Sequence, residues 1–314
     1  MTISAQENTL PAVLFDLDGT LVDPAGGISS GIAYALQVMD LPVPSDEVLA
    51  AMIGPKLSDS LLDYTQASPE QLPELIGTYR TWYAEQGIAM GQAYPGIRTL
   101  LQALRREGYA LAVATQKPEG FAKILLETHG LASSFDIIVG SSDDETLMPG
   151  DPGYRSGKTE IIAAALAGLR ERPGREPAGR ERPGREPAGG KPAGTAAENA
   201  VMVGDRAQDV NGAAGNSLEC IGVAWGFALP GELEAAGAIA VVGTAEALLA
   251  EITRRLKPGN TVPADAVPAE VLPAEALPGD AVPAEAMPAD TVLAGAGGRS
   301  AGRGYPGEAP DGAL

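Results

Sequence analysis

The chain has one cysteine and one histidine among its 314 residues. A single thiol excludes an intramolecular disulfide and fits a reducing compartment, so a cytoplasmic location is expected. No apolar run approaches about 20 residues, so no membrane span is expected, and no N-terminal stretch reads as a secretion signal. Basic residues are in the minority: 22 Lys and Arg stand against 41 Asp and Glu, a formal net charge of −19. That balance argues against nonspecific nucleic-acid binding. Some of this charge lies in a C-terminal tract, so it says less about a folded domain.

Two tracts have no capacity to build a core. Residues 170–198 begin with Arg170-Glu171-Arg172-Pro173-Gly174-Arg175-Glu176-Pro177-Ala178-Gly179, repeated almost unchanged through Gly189. Pro and Gly recur too often for a helix, and nothing apolar accompanies them. This reads as a low-complexity surface insert, tolerated because loop-closure cost rises slowly with length. Residues 257–314 contain a five-residue repeat from Val262 to Thr291 with proline in each period. An extended, disordered tail is expected there.

Outside these tracts the chain alternates apolar strands with helical patterns. Ala12-Val13-Leu14 reads as a buried strand. It runs into Phe15-Asp16-Leu17-Asp18-Gly19-Thr20. Residues two apart in a strand face the same side, so Asp16 and Asp18 emerge together at its C-terminal end. Open α/β sheets place their ligands there. Two carboxylates that close repel, unless a cation holds them or one keeps a proton. A second apolar strand, Ala110 to Ala114, ends in Thr115-Gln116-Lys117-Pro118. Lys158 opens a helical run from Ile161 to Leu169. Val201-Met202-Val203-Gly204-Asp205 reads as a strand and turn, with Asp209 four residues on. Further strands are predicted at 135–139, 220–223 and 239–242, with a closing helix at 245–256. Strands alternating with helices imply a parallel, three-layer α/β sheet.

Asp-Leu-Asp-Gly-Thr after an apolar strand, followed in order by Thr115, Lys158 and Gly204-Asp205 with Asp209, resembles the haloacid dehalogenase (HAD) superfamily. The likeness is to its phosphoglycolate phosphatase-like branch and covers roughly residues 10 to 256. It implies a Rossmann-like core and a Mg²⁺-dependent phosphatase acting on a small phosphomonoester, of phosphoglycolate or nucleoside monophosphate type. Mg²⁺ prefers oxygen ligands and often bridges carboxylates to a phosphate. The resemblance makes Asp16 the nucleophile and Asp18 the acid–base group. It makes Asp16, Asp205 and the Asp18 backbone carbonyl metal ligands, with Asp209 orienting Asp205 or a metal-bound water. Thr115 and Lys158 would bind phosphoryl oxygens. Gly19, Thr20, Gln116 and Lys56 are the expected substrate-binding positions. Gln116 departs from the Ser usual in close relatives, and Lys56 stands where relatives often carry Pro. The acidic run from Asp143, with Asp144 and Glu145, lengthens the approach to Lys158.

Helical spacing is predicted over 28–40, 48–53, 57–64 and 72–83. An all-helical insertion at this position resembles the C1 cap of the superfamily. It gives a core of residues 1–23 and 94–256 and a cap of 24–93, with hinges near Asp23-Pro24 and Ala93-Tyr94. His129 reads as a cation at a helix C-terminus, Cys220 as a buried inert thiol and Arg206 as a surface charge. A monomer or homodimer is expected. Two other readings stay open. One is a protein-directed phosphotransferase, since the chain also resembles tyrosine-kinase-type members of the superfamily, although no G-x-G-x-x-G loop of the kinase type is visible among its predicted strands and helices. The other is a noncatalytic binding protein.

Overall fold

In the computed structural model, strand β1 (Ala12–Phe15) lies inside a sheet and is buried along its whole length. The structure describes residues 11–24, 26–143, 151, 153–155, 157–171 and 199–256. Strands β4 (Ala110–Pro118) and β6 (Ala200–Gly204) flank β1 in parallel, with Leu14 beside Ala112 and Met202. Strands β5 (Ile137–Ser141), β7 (Glu219–Val223) and β8 (Ala240–Val242) complete the order β5-β4-β1-β6-β7-β8. The chain builds outward from β1 on one side, then crosses to the other. The crevice this leaves lies at the C-terminal end of β1, where parallel sheets bind ligands.

Alternation along β1 separates two apolar layers, as a strand buried on both faces requires. Val13 and Phe15 pack with helices α5 (Ile97–Arg106), α6 (Glu119–Thr128) and α10 (Ala245–Arg255). Ala12 and Leu14 pack with α7 (Lys158–Glu171), α8 (Ala207–Gly215) and α9 (Glu232–Ala236). The result is a Rossmann-like three-layer core.

The chain leaves this core through β2 (Val22–Asp23) and returns through β3 (Gln92–Ala93), which pair antiparallel as a two-stranded ribbon. The positions expected as hinges lie at this ribbon. Between its strands run four cap helices: α1 (Gly27–Val38), α2 (Asp46–Ala51), α3 (Leu57–Tyr64) and α4 (Leu72–Glu85). Helix α2 starts two residues before its predicted position. Ser45 adopts extended backbone ahead of it, and Asp46 and Glu47 occupy the first turn, where acids favour the helix N-terminus. Strand β5 is displaced to 137–141 from the predicted 135–139. Ala132–Ser134 form a 3₁₀ turn, and the Asp136 carboxylate accepts a bond from Leu111 N at 2.9 Å.

Helix α7 continues through Glu171. The rest of the expected insert, residues 172–198, and the expected tail, residues 257–314, lie outside the described residues. So do Asp144 and Glu145. Asp143 is exposed and accepts a bond from Gly120 N at 3.2 Å. No helix among the described residues is long and apolar enough to cross a membrane.

Candidate functional site

Asp16 and Asp18 follow β1 into the crevice and are both nearly buried. The Asp16 backbone N–H still donates to Val203 O at 2.9 Å, which fixes the turn against β6. Asp205 and Asp209 enter from the end of β6 and the first turn of α8. Carboxylate oxygens of Asp16, Asp205 and Asp209 all lie within 4.8 Å of one another. The four carboxylates meet two buried ammonium groups. Lys158, at the start of α7, lies 2.9 Å from Asp16 Oδ1 and 2.6 Å from Asp209 Oδ1, and donates to Ala114 O at 3.1 Å. Lys117, in β4, lies 2.8 Å from Asp18 Oδ2 and 4.5 Å from the centre of the Tyr83 ring.

Local sequence explains why these groups converge. Gly19 has φ of +84°, a left-handed conformation costly for other residues. A Cβ there would come within 2.2 Å of Asp205 Oδ2. Glycine therefore permits both the turn after β1 and the approach of Asp205. Thr20 Oγ1 donates to Asp205 Oδ1 at 3.0 Å, and Phe227 N donates to Asp205 Oδ2 at 2.8 Å. Asp209 Oδ2 accepts from Arg206 N at 3.0 Å, which closes the first turn of α8.

Charge in the cluster is unbalanced. Burial, then the neighbouring Asp209 and Asp16, push Asp205 well above the usual carboxylate range. Burial and Asp16 push Asp209 up to about 6 even though Lys158 opposes the shift. Burial alone would lower Lys158 and Lys117, but their carboxylate partners outweigh it and hold both above the usual lysine range. When all four carboxylates are ionised, they outnumber the two ammonium groups by two negative charges. Oxygen ligands with that excess suit a hard divalent cation such as Mg²⁺. Asp18 Oδ1, buried and without a hydrogen-bond partner, points to the same shortage of donors.

Above the carboxylates is a cavity of about 380 Å³. Core residues Thr115, Gln116 and Lys117 line one side. Cap residues Ile53 to Ser58, Tyr79, Arg80 and Tyr83 line the other. Of the positions expected to bind substrate, Lys56 and Gln116 border this cavity. Gly19 and Thr20 do not: the first makes room for Asp205 and the Thr20 hydroxyl is committed to it. Thr115 is buried, borders the cavity and accepts from Lys117 N at 3.2 Å.

Two expectations are corrected. Arg206 is buried rather than a surface charge, because Glu232 pairs with it at 3.0 Å and cap carbonyls accept from it. The cation at the end of α6 is Arg98, which donates to His129 O at 2.6 Å and Gly130 O at 3.0 Å. Burial and Arg98 hold His129 below its ordinary range, favouring the neutral ring. Cys220 is buried, and burial pushes its thiol up, as an inert core residue requires. Sequence reading gave Lys117 no role. A signal was available: Thr115 and Lys117 are two apart on β4 and share a face, as Asp16 and Asp18 do beyond β1.

Comparisons with known proteins agree with this fold. Residues 13–155 match the model of the haloacid dehalogenase-like hydrolases, and residues 157–248 match a second model described as HAD-hydrolase-like. The tyrosine-protein kinase PtkA of Mycobacterium tuberculosis is 36% identical over 215 residues, 68% of this chain and 62% of that protein. The chain thus spans less than two thirds of the kinase's length. A 5'-nucleotidase of Pseudomonas aeruginosa is 32% identical, covering 72% of this chain and 87% of the relative. A phosphoglycolate phosphatase of Cupriavidus necator is 30% identical, covering 79% and 95%. The crystal structure of a predicted phosphatase from Clostridium acetobutylicum superposes with a TM-score of 0.65 at 34% identity, covering 78% of this chain and 99% of that one. With its fold, its acidic cluster and these relatives, the chain belongs to the haloacid dehalogenase-like hydrolases.

Proposed function

We propose that the protein is a Mg²⁺-dependent phosphatase that hydrolyses a small phosphomonoester through an aspartyl-phosphate on Asp16. The observation that carries this reading is the buried cluster of four carboxylates and two lysines beneath the cavity. Asp16, Asp205 and the Asp18 backbone carbonyl would hold the cation, with Asp209 beside them. When bound, the cation supplies positive charge that offsets the phosphoryl oxygens. The Asp16 carboxylate attacks phosphorus, and the bond to the leaving oxygen breaks. Asp18 gives that oxygen a proton, then takes one from the water that cleaves the aspartyl-phosphate. Lys158 and Thr115 bind phosphoryl oxygens as charge develops on them. The cap keeps bulk water out.

Cavity size favours one substrate type. A volume near 380 Å³ falls among pockets that hold drug-sized molecules. A two-carbon phosphoglycolate would leave much of it unfilled. Tyr79, Tyr83 and Phe121 give it aromatic walls, which suit a flat leaving group. A nucleoside monophosphate is therefore the preferred substrate, in keeping with the 5'-nucleotidase relative. A phosphate-release panel of nucleoside monophosphates, phosphoglycolate and sugar phosphates, with and without Mg²⁺, tests this. We expect Mg²⁺-dependent release with kcat/KM highest for a nucleoside monophosphate. Activity independent of metal, or none on any ester, would overturn the reading. The likeness to PtkA supports a second reading, a protein-directed phosphotransferase. Label passing from ATP to a protein, and lost in Asp16→Asn, would favour it.

The charge excess also predicts how stability depends on pH. Asp205 and Asp209 titrate higher in the folded chain than the ordinary value near 3.9. In that window the folded state holds more protons than the unfolded one. Stability of the metal-free protein therefore falls as pH rises from about 4 through about 6 and beyond. In EDTA, Tm should be higher near pH 5.5 than near pH 7.5. With saturating Mg²⁺ it should rise overall and lose much of this slope, because binding to the folded state alone stabilises it. Equal slopes with and without Mg²⁺ would argue against a cation at these carboxylates.

A further inference from the structure

Arg206 joins the acidic cluster to the cap. Its backbone N–H donates to Asp209, and it directly follows Asp205. Its guanidinium turns away from both carboxylates and crosses to the cap. Nη1 donates to Ala51 O at 3.3 Å and also to Ile53 O. Nε pairs with Glu232 Oε1 at 3.0 Å. Glu232 is itself fixed, accepting from Ala207 N at 2.8 Å and Leu229 N at 2.9 Å. The arginine is 7% exposed, so these bonds form out of water. On the cap side, Gly54 has φ of +105°, and a Cβ there would lie 2.9 Å from Arg206 Cγ. The backbone of the loop has thus come within van der Waals reach of the arginine stem.

The loop so held, Ile53 to Leu57, lines the cavity at its cap side. From these contacts we infer that Arg206 is a positioning residue for specificity, holding loop 51–57 over the leaving-group end of the cavity. The inference rests on the phosphatase reading for its catalytic consequence, but not for the contact itself. A planar guanidinium can serve two carbonyls and a carboxylate at once, which a lysine ammonium on a flexible stem does with less order. Loss of the latch frees the loop while the carboxylates below keep their own supports. Large leaving groups that touch the loop then lose more than small ones that do not.

Arg206→Met keeps an unbranched stem and removes the guanidinium with its donors. Gly54→Ala attacks the contact from the cap, leaving the core unaltered. Amide hydrogen exchange of residues 51–58, with residues 200–215 as internal control, reads the latch in the full-length protein without any catalytic assumption. We expect at least about tenfold faster exchange in that loop for both variants, with the control protected. In parallel, the ratio of kcat/KM for a nucleoside monophosphate to that for methyl phosphate should fall about tenfold in Arg206→Met. Arg206→Lys should fall between it and the wild type. Unchanged loop exchange in both variants would overturn the inference. Equal losses on both substrates would also overturn it, since a general structural defect produces that pattern. If no ester is hydrolysed by the wild type, the phosphatase reading fails while the exchange result still decides the latch.

Discussion

Asp16→Asn should abolish turnover, lowering phosphate release by roughly 10⁴-fold or more, the scale expected when a nucleophile is removed. The same substitution should leave the metal-free protein as stable as the wild type, or more so. Both effects follow from one geometry. Asp16 is a buried carboxylate within 4.8 Å of two others, Asp205 and Asp209, and the four buried carboxylates outnumber the two ammonium groups when ionised. Asn removes one of those charges at nearly constant volume. Its amide oxygen can still accept from the Lys158 ammonium, which lies 2.9 Å from Asp16 Oδ1. An active site commonly gives up stability for charge held in place, and the Asn variant should expose that exchange. Phosphate release and chemical denaturation of the two proteins, measured in EDTA and in Mg²⁺, provide the check. Activity within tenfold of wild type would remove Asp16 from the nucleophile's role.

How far the sequence discloses such a site depends on how local the information is. Asp16 and Asp18 are legible because strand alternation and an Asp-Gly turn are properties of adjacent residues. The order of strands and helices is legible for the same reason: apolar runs such as Val201 to Val203 and helical spacing such as Ile28, Ile32 and Leu36 speak for themselves. Element ends are less so. Strand β5 starts later than its apolar pattern because Asp136 reaches back to Leu111 N, a partner 25 residues away. The burial of Arg206 is illegible for a related reason. Its partners, Glu232 and the carbonyls of Ala51 and Ile53, lie 26, 155 and 153 residues distant, and backbone carbonyls leave no mark in a sequence. Thr20 shows a third case. Its place just beyond the strand is legible, but only the approach of Asp205 decides that its hydroxyl serves a carboxylate.

Lys158 offers the second large effect, because it is tied to stability and to chemistry at once. Lys158→Met leaves the Asp16 and Asp209 carboxylates buried with no ammonium between them. Breaking a buried pair from one side costs about 3–5 kcal/mol, since the surviving charge has lost its partner. The side chains concerned are only 1–5% exposed, so solvent does little to screen the loss. Metal-free protein should therefore unfold at markedly lower denaturant. Phosphate release should fall by about 10²–10³-fold, the scale seen when a donor to developing oxyanion charge is removed. A double variant separates the two consequences. Asp209→Asn in the Lys158→Met background removes one of the stranded charges. The Asn side-chain oxygen can still accept from Arg206 N, as Asp209 Oδ2 does at 3.0 Å, so the first turn of α8 keeps its closure. Stability should return by about half or more of the loss, because the carboxylate excess returns to its original size. Activity should stay below that of Asp209→Asn alone, because the Lys158 ammonium that would meet the phosphoryl oxygens is still absent. If stability recovers and activity rises to that of Asp209→Asn alone, Lys158 serves only to hold the cluster. If stability alone recovers, the ammonium acts on the phosphoryl group, the role proposed for it beside Asp16, whose Oδ1 lies 2.9 Å away.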